Sequence, residues 1–255
     1  MPKFSQNFLI DTRVLPKMIQ AASLNKDDVV IEIGPGRGVL TKKLCAVAKQ
    51  VIAIEIDATL APKLQDIQNE YSNLKIIYGD FTTFNWRSLV VGNNFKILAN
   101  IPYHISGLII RTIFDTDQKL PTDVVLMMQY EVVKKIVTKP DDRTVLSNLI
   151  ELFGQPKIVA KVDKKSFRPT PKVDSAVVAI NNIKKPNVDD FDQFFRIIKI
   201  GFSQRRKTIL NNLSHGLKID KTTTRELLSQ ANIDPTRRAQ TLSLEEWKRL
   251  YLYIR

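Results

Sequence analysis

The sequence holds one cysteine, Cys45, and two histidines, His104 and His215. A lone thiol excludes an internal disulfide and any cysteine-built zinc site, and two histidines make no His-rich centre, so no metal is expected. Cys45 falls in the apolar phase of an expected helix and reads as a small core residue. No stretch approaches the roughly 18 apolar residues of a membrane span. The N-terminal Met1-Pro2-Lys3-Phe4-Ser5-Gln6 lacks the apolar segment of a signal peptide, so the expected location is the cytoplasm. Internal repeats and low-complexity segments are absent as well. Negative charge is in short supply, with 26 Asp+Glu against 39 Lys+Arg and a formal net charge of +13. Counterion release then favours a polyanionic partner: nucleic acid first, an anionic membrane surface second. A merely soluble basic protein is the bland alternative.

What is present is ordinary globular chemistry: 255 residues, 44% apolar and 25% charged, enough to bury a sizeable core. Short apolar strands are expected over 29–33, 51–56, 74–78, 96–99, 124–128, 156–162 and 175–180, seven in all. Helical patterns over 39–48, 60–70, 105–114, 129–138 and 144–153 alternate with them. This alternation predicts a mainly parallel sheet, with the last two strands closing as a pair across a Pro-rich connection. After residue 181 the composition changes, and helices are expected over 191–200, 204–213, 222–230 and 244–253. Ser243 with Glu246 makes a capping box for the last of these. The expected division is residues 1–181 and 182–255. The second part carries 15 Lys+Arg and 8 Asp+Glu, about half of the excess positive charge.

Glu32-Ile33-Gly34-Pro35-Gly36-Arg37-Gly38 lies between a strand and a helix, where glycine allows tight turning and close approach of a ligand to the backbone. A dinucleotide site would show G-x-G-x-x-G facing pyrophosphate. Here the spacing is G-x-G-x-G and a carboxylate precedes the loop, which suits the cationic methionine end of S-adenosylmethionine better than pyrophosphate. Glu55, at the end of the second strand, can accept ribose hydroxyls. After the third strand, Asp80 can accept from an adenine amine while Phe81 packs on the ring. Each acid alone would also serve as a helix cap, but three at successive strand ends argue for a site.

Asn100-Ile101-Pro102-Tyr103 directly follows the fourth strand. An adenine amine is a poor nucleophile because its lone pair is delocalised into the ring. The Asn100 carboxamide oxygen and the carbonyl of Ile101 or Pro102 can each accept one of its N–H groups, and Pro102 stiffens the turn. Tyr103 offers a ring for an extruded base. The plain alternative is an Asn-Pro turn into a helix with Tyr103 in the core.

With these stretches, Gln6-Asn7-Phe8-Leu9, Gly79-Asp80 and Phe167-Arg168-Pro169-Thr170-Pro171-Lys172-Val173-Asp174-Ser175, the chain resembles the ribosomal RNA adenine N6-dimethyltransferases of the KsgA type. The Erm resistance methylases are close relatives of that family. The resemblance runs over essentially the whole length and implies a Rossmann-like class I methyltransferase with a mainly parallel seven-stranded sheet and a small all-helical C-terminal domain. It implies S-adenosylmethionine contacts by Asn7, Leu9, Gly34, Glu55, Asp80 and Asn100, joined by Gly36 of the loop and Phe81. It also implies an amine-binding motif of Asn100, Pro102 and Tyr103, with Phe167 stacking on the target adenine from the other side. A plug in a hydrophobic gap is the bland alternative for Phe167. Lys164, Lys165, Arg168 and Lys172 around it are expected phosphate contacts. His104 departs from the Asn usual in the family and reads as a support behind the site.

The stretches 202–210 and 234–243 resemble the small-subunit enzymes, whereas Erm proteins generally end differently. Arg205, Arg206 and Lys207 are expected at a helix start, against the helix dipole, which hints at RNA phosphate. Small-subunit ribosomal RNA, naked or in an assembling subunit, is therefore the expected partner of a monomeric enzyme. Three other readings stay open: an Erm-type enzyme acting on large-subunit RNA, a non-catalytic RNA-binding assembly factor, and a nicotinamide oxidoreductase.

Overall fold

The structure, a computed structural model, describes residues 7–92, 94–115, 119–137 and 141–254. Gln6 of the N-terminal matching stretch, and Thr138 at the end of the helix expected over 129–138, lie outside the described residues. The chain divides into two compact units: Met1–Val133 with Gly154–Lys184, and Lys134–Phe153 with Lys185–Arg255.

The first unit is built on a seven-stranded sheet. In chain order its strands, with a short pair set apart, are β1 (Phe8–Leu9), β2 (Val29–Ile33), β3 (Gln50–Glu55), β4 (Leu74–Tyr78), β5 (Phe95–Asn100), β6 (Asp123–Gln129), β7 (Pro156–Val162), β8 (Phe167–Arg168) and β9 (Ser175–Ile180). The large sheet runs β4-β3-β2-β5-β6-β9-β7. Pairings from β4 through β6 are parallel, while β9 runs antiparallel to both β6 and β7. Parallel strands covered on both faces read as continuous Val/Ile/Leu runs, and β2, β3, β5 and β6 do so. The helices between them are α1 (Leu15–Ala21), α2 (Val39–Cys45), α3 (Ala61–Glu70) and α4 (Ser106–Ile113).

The chain builds β2, β3 and β4 outward on one side and then returns to place β5 and β6 on the other. The crevice at such a reversal, outside the carboxyl ends of the strands, is where open α/β sheets bind ligands. Because β9 is antiparallel, its first residue, Ser175, reaches that same edge, opposite Gln129 of β6 and Val162 of β7. A two-residue ladder of β1 with β8 pairs Leu9 with Phe167. Neither of these short strands, nor α1, was expected from periodicity. A buried ion pair, Lys96 Nζ to Asp28 Oδ2 at 2.9 Å, lies at the far end of the sheet, where Lys96 also donates to the carbonyls of Ala22 and Ser23.

The second unit is helical. It contains α6 (Val145–Phe153), then α7 (Phe191–Gly201), α8 (Ile209–Leu217), α9 (Lys221–Gln230) and α10 (Leu244–Ile254); α5 (Tyr130–Ile136) spans the division in sequence between the two units. The boundary expected at 181/182 therefore moves, because 134–153 belong with the C-terminal helices. The cause is apolar. The Phe153 ring meets Phe191 edge-on at 5.8 Å, Phe191 stacks on Phe195, and the Arg143 amide donates to the Gln240 carbonyl. The expected capping box is present: Glu246 Oε2 accepts from the Ser243 amide at 2.7 Å, and Ser243 Oγ accepts from the Glu246 amide at 3.2 Å.

A second difference concerns α8. Its cap is Thr208, whose hydroxyl accepts from the Asn211 amide, so the helix begins at Ile209. Arg205, Arg206 and Lys207 accordingly sit in the preceding turn, exposed, and not in the first helical turn. Three cations inside the positive end of a helix oppose its dipole, and the hydroxyl cap excludes them from it.

Candidate active site

Five strand ends converge on one cavity of about 460 Å³, within the span of roughly 300–1,000 Å³ common for small-molecule sites. After β2 the chain turns through the glycine loop. The Gly34 amide donates to the Ile54 carbonyl, and a Cβ added at Gly34 would meet no protein atom within 4 Å, so the loop's backbone faces open space. Gly38 caps α2 with φ of +76°, and a Cβ there would lie 2.1 Å from Ile67 Cδ1. Only glycine fits that seat.

Glu55 ends β3 and is buried. Its Oε2 accepts from the Gly36 amide at 3.0 Å and its Oε1 from the Asp57 amide at 2.9 Å. Burial raises its pKa from the ordinary carboxylate value, against those hydrogen bonds. Each oxygen keeps a further lone pair for a ligand hydroxyl. Glu32, 1% exposed, lines the same cavity, and its Oε2 is buried without a hydrogen-bond partner. Burial, with the Glu55 charge adding to it, pushes its pKa up to about 8.

Past β4, Asp80 Oδ1 accepts from the Thr82 amide and hydroxyl at 2.8 and 2.7 Å, which fixes the turn. Phe81 packs against Trp86, with ring centres 4.9 Å apart, and still lines the cavity. Asn7 and Leu9 line it from the β1 side, where Arg37 lies over the Phe8 ring at 4.3 Å.

At the end of β5, the Ile101 amide donates to the Met127 carbonyl, which turns Asn100 to Tyr103 across the cavity rim. Among the described residues nothing hydrogen-bonds to the Asn100 carboxamide, so its oxygen is free for a ligand. Tyr103 is half-buried, and its hydroxyl shares a 2.5 Å hydrogen bond with Ser175 Oγ. Desolvation raises the phenol pKa. His104 is exposed at the cavity wall, a direct lining residue and not a support behind it. Gln129, at the end of β6, also lines the cavity and was not singled out from sequence. A polar residue directly after an apolar strand was the available signal.

Phe167 is placed elsewhere. It is 0% exposed, packed in the main apolar cluster with Leu15, Met18 and Val177, and does not line the cavity. The stacking role expected for it is therefore corrected: neither ring face is open to a base. Its seat follows from the β1–β8 ladder, which turns Phe167 inward and leaves Arg168 outward. Lys164, Lys165, Arg168 and Lys172 are all exposed on this segment. Arg168 donates to the Phe167 carbonyl and to Thr170 Oγ1, both at 3.1 Å.

The residues present fit S-adenosylmethionine. The unpartnered Glu32 oxygen matches a cationic ligand end, Glu55 matches a diol, and the open backbone at Gly34 leaves room for both. No group of three or more metal-ligating side chains occurs among the described residues.

Comparison with known proteins decides the family. The model of the family described as "Ribosomal RNA adenine dimethylase" matches residues 1–250. The chain belongs to this family. It is 42% identical over 97% of its length, and 86% of the relative's, to a ribosomal RNA small subunit methyltransferase A of Dehalococcoides mccartyi. A Clostridium botulinum protein of the same name is 39% identical over 96% of this chain and 90% of its own. Among solved structures, a dimethyladenosine transferase from Plasmodium falciparum matches with a TM-score of 0.79 and 29% identity, covering 95% of each chain. The 23S rRNA methyltransferase ErmE matches with a TM-score of 0.76 and 25% identity, covering 97% of this chain and 99% of its own.

Proposed function

We propose that this chain transfers methyl groups from S-adenosylmethionine to the N6 amines of two adjacent adenines in the 3′-terminal hairpin of small-subunit ribosomal RNA, two on each. The observation that carries this reading is the Asn100–Tyr103 turn opening onto the cavity that Glu55 and the glycine loop line. When bound, the cofactor supplies a methyl carbon made electrophilic by its sulfonium. Glu55 would hold the ribose side, beside the open backbone of the glycine loop, and Glu32 would counter positive charge. In the first transfer the Asn100 oxygen and the carbonyl of Ile101 or Pro102 would accept the two amine hydrogens and free the nitrogen lone pair for in-line attack; in the second, one hydrogen remains and one of these acceptors suffices, and after each transfer the nitrogen sheds one proton to solvent. Tyr103 supports the base as it leaves its stack. No strong base is needed, since alignment and fixed dipoles lower the barrier.

The small-subunit target is favoured by the 42% and 39% identities to proteins bearing that name, against 25% for the 23S enzyme. Exposed Lys164, Lys165, Arg168 and Lys172, and the turn of Arg205, Arg206 and Lys207 in the helical unit, supply phosphate contacts. No described helix is long and apolar enough to cross a membrane. The test is incubation of labelled cofactor with unmethylated small and large subunits, followed by mapping of modified nucleotides. Label confined to large-subunit RNA, or no label at all, overturns the reading.

A further inference from the structure

The hydroxyl of Ser175 is buried on the first residue of β9, with the residue 0% exposed, and its hydrogen-bond partner is the phenol of Tyr103 at 2.5 Å. The two residues are far apart in sequence and belong to different elements, so nothing local requires them to meet. What brings them together is the reversed direction of β9, which delivers its N-terminal residue to the carboxyl edge of the parallel strands, the edge where the cavity lies. Ser175 is held there from both sides, opposite Gln129 of β6 and Val162 of β7. The preceding residue is fixed too. The Asp174 carbonyl accepts from the Tyr130 amide at 2.9 Å, and its carboxylate takes the Lys161 ammonium at 2.9 Å and the Lys164 amide at 3.1 Å. Ser175 is thus a rigid anchor.

Tyr103 needs one. It begins a single 3₁₀ turn directly after Pro102, half-buried at the rim of an open cavity, and its ring torsion would otherwise be soft. Its backbone carbonyl accepts from Ser106 Oγ at 3.1 Å, so the residue is tied at the main chain and at the ring tip. Releasing the phenol would leave the buried Ser175 hydroxyl unpaired, which penalises every other ring position. A ring aimed before any base arrives does not have to be ordered when the base binds.

We propose that Ser175 is a positioning residue that sets the plane of the Tyr103 ring and so prepares the surface on which the target adenine stacks. The proposal rests on the stacking role given to Tyr103 above. Ser175 touches neither base nor cofactor in this account and acts through the phenol alone.

The test is a double-mutant cycle on methyl transfer to unmethylated small subunits, with cofactor affinity measured separately by calorimetry. Ser175→Ala and Tyr103→Phe each remove one partner of the same bond. Each should lower kcat/KM for RNA by about fivefold, the worth of one such hydrogen bond, with cofactor affinity unchanged. The double variant should be no worse than either single one. Full additivity, or wild-type kinetics for Ser175→Ala, overturns the proposal. Where Ser175→Ala fails to fold, Tyr103→Phe leaves β9 intact and must still show the loss; an unchanged kcat/KM there also overturns it. Tyr103→Ala separates the two levels. Its full activity would remove the stacking role itself, whereas its inactivity beside a normal Ser175→Ala variant would remove only the role of Ser175.

Discussion

Glu55 Oε2 accepts the Gly36 amide at 3.0 Å, joining the end of the second parallel strand to the glycine loop that follows the first. One carboxylate thereby shapes the loop and keeps lone pairs for a ligand. Glu55→Ala should weaken S-adenosylmethionine binding by at least about tenfold, as expected for lost charge-assisted hydrogen bonds. Calorimetric titration checks this. Unaltered affinity would separate Glu55 from cofactor binding.

Asn100→Ala should abolish methyl transfer and leave cofactor binding measurable, because the carboxamide acts chiefly on the amine of the base. Transfer of labelled methyl, measured beside cofactor titration, decides it. Full activity removes the proposed amine site.

Glu32 makes the protein pH-sensitive in a definite direction. Its pKa in the folded chain is raised from 4.5 to about 8, so the folded protein holds a proton there that the unfolded chain has released. Stability from this group is present at acid pH and falls as pH rises from about 5 through 8. A cationic ligand favours the ionised form, so cofactor binding near pH 7 should expel protons and tighten as pH rises toward 8. The neighbouring titratable groups are Glu55, which opposes ionisation of Glu32, and the Cys45 thiol, itself pushed up to about 12 and neutral throughout. Titration in two buffers of different ionisation heat measures the protons released. Glu32→Gln should remove the release.

Phe167→Ala should cost about 3–5 kcal/mol of stability, the range for emptying a large aromatic seat in a core. Denaturant unfolding reads this directly. A variant of normal stability with impaired base stacking would restore the role that the buried ring contradicts.

Removing the charges of Arg205, Arg206 and Lys207 together should weaken RNA binding. It should also flatten the salt dependence of log K by about 0.7–0.9 per lost phosphate contact. All three are exposed in a turn, so the melting temperature should stay within a degree or two. Unchanged salt dependence would make the turn a solvated surface.

The central strands were readable because they are buried over nearly their whole length, and the two edge strands because they still carry short Val/Ile runs. Residues 74–78, 156–162 and 175–180 form strands with the bounds that the apolar pattern indicates. The cavity was readable because its residues sit at successive strand ends, a position that sequence reveals once the strands are known. Other features left no periodic trace. Two-residue strands such as Phe8–Leu9 are too short for alternation, and the Ser175–Tyr103 bond depends on strand direction. The start of α8 was misjudged because Gln204 to Lys207 are good helix formers, and a single hydroxyl cap at Thr208 outweighs their propensity.

The wall of the cavity beside Asn7 and Leu9 is carried by the ladder of Phe8–Leu9 with Phe167–Arg168, segments from opposite ends of the catalytic unit. A growing chain can complete the parallel strands while this wall still waits for its second half to leave the ribosome. A nascent fragment ending before β8 would therefore have the floor of the site without its side.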